Sequence, residues 1–241
     1  MVQQPLRPPP YPLRPKENQM ASIITVATPK GGSGKTTISI ILAGELSNQG
    51  FKTLIIDTDK QQSAIRWHQK TLSNNSRQEN LEVLASTEPS KIVSLLDENS
   101  HFDVIIVDTA GFADQLTFAL SSITDLLVIP CKISSFDGDQ VIAFVNQLRE
   151  LTAKDNKEMP KYKVVLNEYD PITKNSKSLE NVYKSFIEHN ISVSDVLMQK
   201  RERVKTITEG TGSLYLLKGK DDATVNAQTN SRNLAYDLLN N

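Results

Sequence analysis

The chain has 241 residues, 38% hydrophobic and 23% charged, which suits one sizeable buried core and does not require a second domain. Its 27 basic and 28 acidic residues leave a formal net charge of −1, so any affinity for nucleic acid must come from a local cluster. Cys131 is the only cysteine. It excludes an intramolecular disulfide framework and an iron–sulfur cluster held by several thiolates of one subunit, and it suggests a reducing, cytosolic setting.

In chain order, residues 1–20 hold six of the eleven prolines and little that could be buried. They are expected to form a disordered, proline-rich tail, with residues 21–241 as a single domain. No apolar run approaches the roughly 20 residues that span a bilayer, and the N-terminus lacks an apolar signal-peptide core, so a soluble protein is expected. From Ile23 the pattern is strand, turn, helix, repeated. Ile23–Ala27 reads as a strand. Ile38, Ile41, Leu42 and Leu46 recur at helical spacing, with Gly50 as the stop. Leu54–Ile56, Leu81–Leu84 and Val104–Val107 read as further strands, with a helix over 90–99 between the last two. Leu126–Ile129 reads as a strand stopped by Pro130. A long helix carries Val141, Phe144, Val145, Leu148 and Leu151 on one face, and Val164–Leu166 closes the series at Asn167. Continuous apolar strands alternating with crossover helices predict an α/β fold: a mostly parallel, twisted sheet flanked by helices, with ligands at the carboxyl ends of the strands.

The chemistry concentrates between the first strand and the first helix, at Pro29-Lys30-Gly31-Gly32-Ser33-Gly34-Lys35-Thr36-Thr37. Glycines permit a tight turn that points successive N–H groups at an anion, and the following helix adds its positive end. Lys35 is placed to reach phosphates and the Thr36 hydroxyl to ligate Mg²⁺. The generic phosphate-loop pattern fails at Pro29, where glycine is usual, and a second lysine, Lys30, precedes the paired glycines. With that lysine the segment resembles the deviant Walker A box of the ParA/MinD ATPases, P-loop NTPases in which the first lysine reaches the partner's phosphates across a nucleotide-sandwich dimer.

Other segments extend the resemblance. Asp103 to Gly111 (D-V-I-I-V-D-T-A-G) resembles a Walker B box, so Asp108 is expected to hold Mg²⁺ and the Gly111 N–H to sense the γ-phosphate. Asp57-Thr58-Asp59 matches the family's D-x-D motif. The resemblance implies that Asp59 orients the attacking water, while Asp57 supports the metal site and the next helix. Lys60-Gln61 stands where the family has Pro-Gln, which is expected to loosen the turn and place a cation beside Asp59. The nucleotide contacts thus implied are Lys30, Gly31, Gly32, Ser33, Gly34, Lys35, Thr36 and Thr37, with Asn167 on adenine. Lys30, Lys35 and Asp59 form the catalytic set, and Thr36, Asp57 and Asp108 the metal set. Asp137 reads equally as part of a nucleotide-lining loop or as a helix cap. The three histidines lack metal-ligand spacing and read as surface residues. Without the guanine-specific N-K-x-D signature, ATP is the expected nucleotide.

Near the C-terminus, Lys200, Arg201, Arg203 and Lys205 surround one acid. Small plasmid-partition ATPases of the ParA type, including the ParF-like ones, carry basic residues here and use nearby surfaces for sequence-independent DNA binding. Such binding rests on phosphate contacts without base readout. Lys60, Arg66 and Lys70 are the fallback surface. The last residues read as a closing helix packed by Leu234, Leu238 and Leu239 rather than the basic membrane helix of MinD-like relatives. The resemblance implies an ATP- and Mg²⁺-dependent homodimer that binds nonspecific DNA in the cytoplasm at the nucleoid, released by a ParB-like adaptor that stimulates hydrolysis. The alternatives are a P-loop ligase of the dethiobiotin-synthetase type and a membrane-positioning ATPase.

Overall fold

A computed structural model describes residues 21–110, 119–120, 122–170, 176–219 and 221–240. The expected tail and Gly111 lie outside them. The apolar runs form six strands: β1 (Ser22–Val26), β2 (Thr53–Asp57), β3 (Leu81–Ala85), β4 (Val104–Asp108), β5 (Leu126–Lys132) and β6 (Tyr162–Asn167). They lie side by side in the order β3-β2-β4-β1-β5-β6, and every pairing is parallel. The helices are α1 (Lys35–Asn48), α2 (Ser63–Ser73), α3 (Pro89–Glu98), α4 (Ser135–Lys154), α5 (Ser176–Glu188), α6 (Glu202–Thr206) and α7 (Asp222–Leu239).

Period-two alternation divides each strand between two apolar layers. Val104 and Ile106 of β4 join a core with α1, α2 and α7, whereas Ile105 and Val107 pack against Ile92 and Leu96 of α3. On that second face, β5 and β6 bury Ile129 and Leu166 under Phe144 of α4 and Phe186 of α5. Both faces are covered, which is why the strands read as continuous apolar runs. Leu234 and Leu238 of α7 are buried against the first layer, and Leu239 packs partly buried beside them. Helix α1 ends as its sequence dictates: Gly50 takes φ +94, its N–H donates to Ser47 O at 3.0 Å and Phe51 N–H to Leu46 O at 3.1 Å. Those two bonds close the helix in a Schellman motif.

One strand departs from its reading. Pro130 does not stop β5, which runs on to Lys132, with Pro130 in register with Val165 of β6. The pairing of β5 with β1 ends at Val26 and Val128, so Pro130 sits where β5 has lost its inner neighbour. The missing N–H forfeits no ladder bond there.

Candidate active site

The ends of β1, β2 and β4 meet in register, with Val26 beside Asp108 and Asp108 beside Asp57. The phosphate loop rises from β1 over these ends. Gly32 and Gly34 take positive φ, +74 and +94, and space is open for 4 Å around the Cβ positions of Gly31 and Gly32. Gly34 is the N-cap of α1 without any side-chain cap, so the first-turn N–H groups face the loop. The Ser33 hydroxyl is buried and has no hydrogen-bond partner among the described residues. Open glycines, a free helix N-terminus and an unspent hydroxyl make a cradle for an oxyanion.

Lys35 is only 7% exposed. Burial pulls its ammonium below the ordinary lysine range, and the charges of Asp108 and Asp59 partly offset that. Asp108 is also buried, and burial pushes its carboxyl up to about 7 despite hydrogen bonds from the Thr36 and Ser39 hydroxyls, with the Asp57 charge adding to the rise. Ser39 Oγ donates to Asp108 Oδ1 at 3.2 Å. Oδ2 has no partner among the described residues. A buried, unsatisfied carboxylate oxygen beside the Thr36 hydroxyl is an all-oxygen donor set of the kind magnesium prefers.

Asp57 sits next to Asp108 but is engaged differently. Its Oδ2 accepts from Ala64 N at 2.8 Å and Ile65 N at 3.1 Å, and its Oδ1 from Asp59 N at 3.1 Å. Burial raises its pKa while these three N–H groups oppose the rise. Asp57 therefore caps α2, and both of its oxygens already have donors. The structure gives it the helix-supporting half of its expected role. Asp59 is half-buried. Its Oδ1 accepts from Gln61 N at 2.8 Å, and its carbonyl from Gln62 N at 2.8 Å. This Asx-type turn closes the segment without the proline.

Lys30 and Asn167 occupy places that sequence order concealed. Lys30 Nζ lies 2.5 Å from Asp137 Oδ1 and 5.0 Å from the centroid of Phe136, whose ring is 64% exposed. Ser134 is the N-cap of α4, accepting from Asp137 N at 3.1 Å, and its hydroxyl donates to Asp137 Oδ2. Asp137 thus holds the capping hydroxyl of Ser134 in place, and it also receives Lys30. Burial raises the Asp137 pKa, but the hydrogen bonds from Lys30 and Ser134 outweigh it and hold the carboxyl below its usual range. Asn167 Nδ2 donates to Ser33 O at 3.0 Å. A Cβ on Gly34 would lie 2.2 Å from that nitrogen. Asn167 thus braces the phosphate loop at Ser33.

Several of the basic residues near the C-terminus are paired. Arg203 bonds Asp221, the N-cap of α7. Lys205 pairs with Glu202 at 2.9 Å, and Arg201 Nη2 donates to Gln199 Oε1 at 2.5 Å. Lys200 is exposed. His101 and His189 are exposed as expected, whereas His68 is half-buried and depressed chiefly by that burial.

The profile of the family described as VirC1 protein matches residues 21–238. Protein VirC1 of Rhizobium rhizogenes is 28% identical over 140 residues, 57% of this chain and 61% of that protein. The chain therefore aligns with less than two thirds of that relative. Protein ParA of Rhizobium radiobacter is 25% identical over 221 residues, covering 90% of this chain and 96% of the relative. Among solved structures, the MinC:MinD cell division protein complex of Aquifex aeolicus superposes with a TM-score of 0.70 at 16% identity, covering 92% and 96% of the two chains. A putative plasmid partition protein of Borrelia burgdorferi B31 bound to AMPPNP superposes with a TM-score of 0.63 at 19% identity, covering 88% and 96%. These superpositions show a ParA/MinD-type P-loop fold, and the profile spans almost all of the described residues: the chain belongs to the VirC1 protein family.

Proposed function

We propose that the protein hydrolyses ATP to ADP and phosphate and uses the cycle to bind and release DNA during partition of a plasmid or similar cargo. The observation that carries this reading is the buried pair of Lys35 and Asp108 at the strand ends. Lys35 is desolvated and Asp108 has a free buried oxygen, and both gain partners when a phosphate chain and a hard cation arrive. Thr36 and Asp108 would hold Mg²⁺, which neutralises phosphate charge when bound. Asp57 would act one step back by fixing α2. The loop N–H groups, Ser33 and Lys35 bind the phosphates, and Asp59, next to the capped turn, positions the attacking water.

Lys30 supports a sandwich homodimer. It lies outside the generic phosphate loop, its side chain is 40% exposed, and its tether to Asp137 exchanges for a stronger anion when a partner's phosphates approach. DNA binding is assigned to the segment Lys200–Lys205, with Lys200 the cation that needs least rearrangement, since Lys205 must leave Glu202. Arg203 must leave Asp221, and Arg201 must leave Gln199. No helix among the described residues is long and apolar enough to cross a membrane, and nucleoid association with a ParB-like adaptor that stimulates release fits this cycle. The test is Lys30→Ala, which should bind ATP as a monomer yet fail to dimerise. Equal dimer fractions for wild type and variant in ATP, by light scattering, would remove the sandwich from the account.

A further inference from the structure

Beside the phosphate loop, α1, α2 and the turn Ile207–Thr211 enclose a cleft of about 350 Å³. Thr36 and Thr37 line it from α1, and Ser63, Arg66, Trp67 and Lys70 from α2. These polar side chains are hydroxyls, an indole N–H and two cations, and no carboxylate lines the cleft. Trp67 is 3% exposed, and its Nε1 has no hydrogen-bond partner among the described residues. An indole N–H is donor only, so a buried, unpaired one calls for an acceptor. Arg66 and Lys70 are exposed, and neither forms an ion pair among the described residues. Arg66 makes only a long 3.4 Å contact to Ser63 Oγ. Past these two cations the space opens into a shallower region of about 450 Å³ that reaches Asn74 and Glu209.

The walls are fixed rather than incidental. Gly210, at φ +89, lies so close to α2 that a Cβ would fall 2.3 Å from Lys70 Cβ. Asn74 Nδ2 donates to Gly210 O at 2.8 Å and fastens the turn to the helix. A cavity of this size suits a small molecule, and its polar lining offers donors and positive charge to whatever enters.

We propose that this cleft binds a second, small phosphate-bearing ligand, separate from the phosphate chain at Lys35. Arg66 and Lys70 take its charge, and the Ser63 hydroxyl donates to its oxygens, with Trp67 forming part of the wall. The inner end reaches Thr36 and Thr37, so an occupant and a nucleotide on the phosphate loop share a wall and can influence each other's affinity. The site stands on the α2 cleft alone and does not depend on ATP hydrolysis.

Trp67 is the only tryptophan of the chain, so its emission reports the cleft directly. The experiment uses the full chain with Lys35→Ala, which silences the phosphate loop, and the same chain with Arg66→Gln and Lys70→Gln added; circular dichroism checks that both fold. Each is titrated with inorganic pyrophosphate and with AMP and, as a control, with duplex DNA. The expected result is a saturable change in Trp67 emission for Lys35→Ala, with apparent affinity at least about tenfold weaker in the triple variant, as loss of charge-assisted bonds implies. A response to both probes shows that a free phosphate group suffices, and a response to AMP alone that the phosphate must be carried on a nucleoside. An equal response in the two proteins, or none to either probe, overturns the proposal. A response to duplex DNA only also overturns it, and would place a nucleic-acid backbone on α2.

Discussion

The strand ends and the basic segment near the C-terminus both carry clustered charge, and they handle it in opposite ways. At the strand ends Lys35 and Asp108 are buried and incompletely satisfied, while adjacent Asp57 accepts three backbone N–H bonds. At the surface, Arg203 and Lys205 are paired with Asp221 and Glu202 in or near solvent. A buried charge without full pairing destabilises the fold unless something binds there. An exposed pair contributes little and gives way easily. The contrast separates a site built around a ligand from one that competes with its own ion pairs for a ligand.

The sharpest way to break the contrast is at Asp59. Asp59→Ala should still bind ATP and dimerise but hydrolyse about 10²-fold more slowly or worse, as loss of a positioned acid–base group predicts. Steady-state phosphate release measures it, and turnover at the wild-type rate would move the water-positioning role to another group.

A second test uses pH. The Asp108 carboxyl lies at about 7 against an ordinary 3.8, chiefly through burial. Its contribution is therefore fully present below 3.8 and is lost as pH rises to about 7, because the folded state keeps the proton that the unfolded state has released. Without divalent cations the wild type should melt progressively lower between pH 4 and pH 7. Asp108→Asn should lose most of that slope, and Mg²⁺ should raise the melting temperature at pH 8 for the wild type only. Parallel melting curves for the two proteins would show that Asp108 is not the group that titrates.

The smallest effects belong to the surface. Lys205→Ala should leave the melting temperature almost unchanged, as loss of an exposed pair does. If Lys200 and Lys205 each contact a DNA phosphate, each substitution should flatten the plot of log affinity against log salt by about 0.9 per contact. A salt series with unaltered slope in ATP would remove this segment from the DNA surface.

Much of the active site was legible because its parts are local. The loop from Pro29 to Thr37 follows an apolar strand, and Asp108 and Asp57 end the next two strands on one side of it, so motif and strand pattern led to the same place. What stayed hidden joins distant segments. Asp137 holds Lys30 across 107 positions of the chain, and Asn167 braces Ser33 across 134. Periodicity carries no information at such separations. Asp57 shows a different limit: the D-x-D spacing located it, but only the path of α2 reveals that backbone N–H groups take both oxygens. Pro130 was misread because a proline ends a strand only where its N–H would have met a neighbour, and β1 has already ended there.

Lys35 is the buried cation at the centre of the phosphate loop. Equilibrium binding of ATP with Mg²⁺, followed by calorimetry on wild type and Lys35→Ala, tests its role in phosphate binding directly. Saturable binding by the wild type and at least about a 10²-fold weaker affinity in the variant, the loss expected when a buried charge-assisted contact is removed, are the predicted outcome. Equal affinities in the two proteins would contradict it.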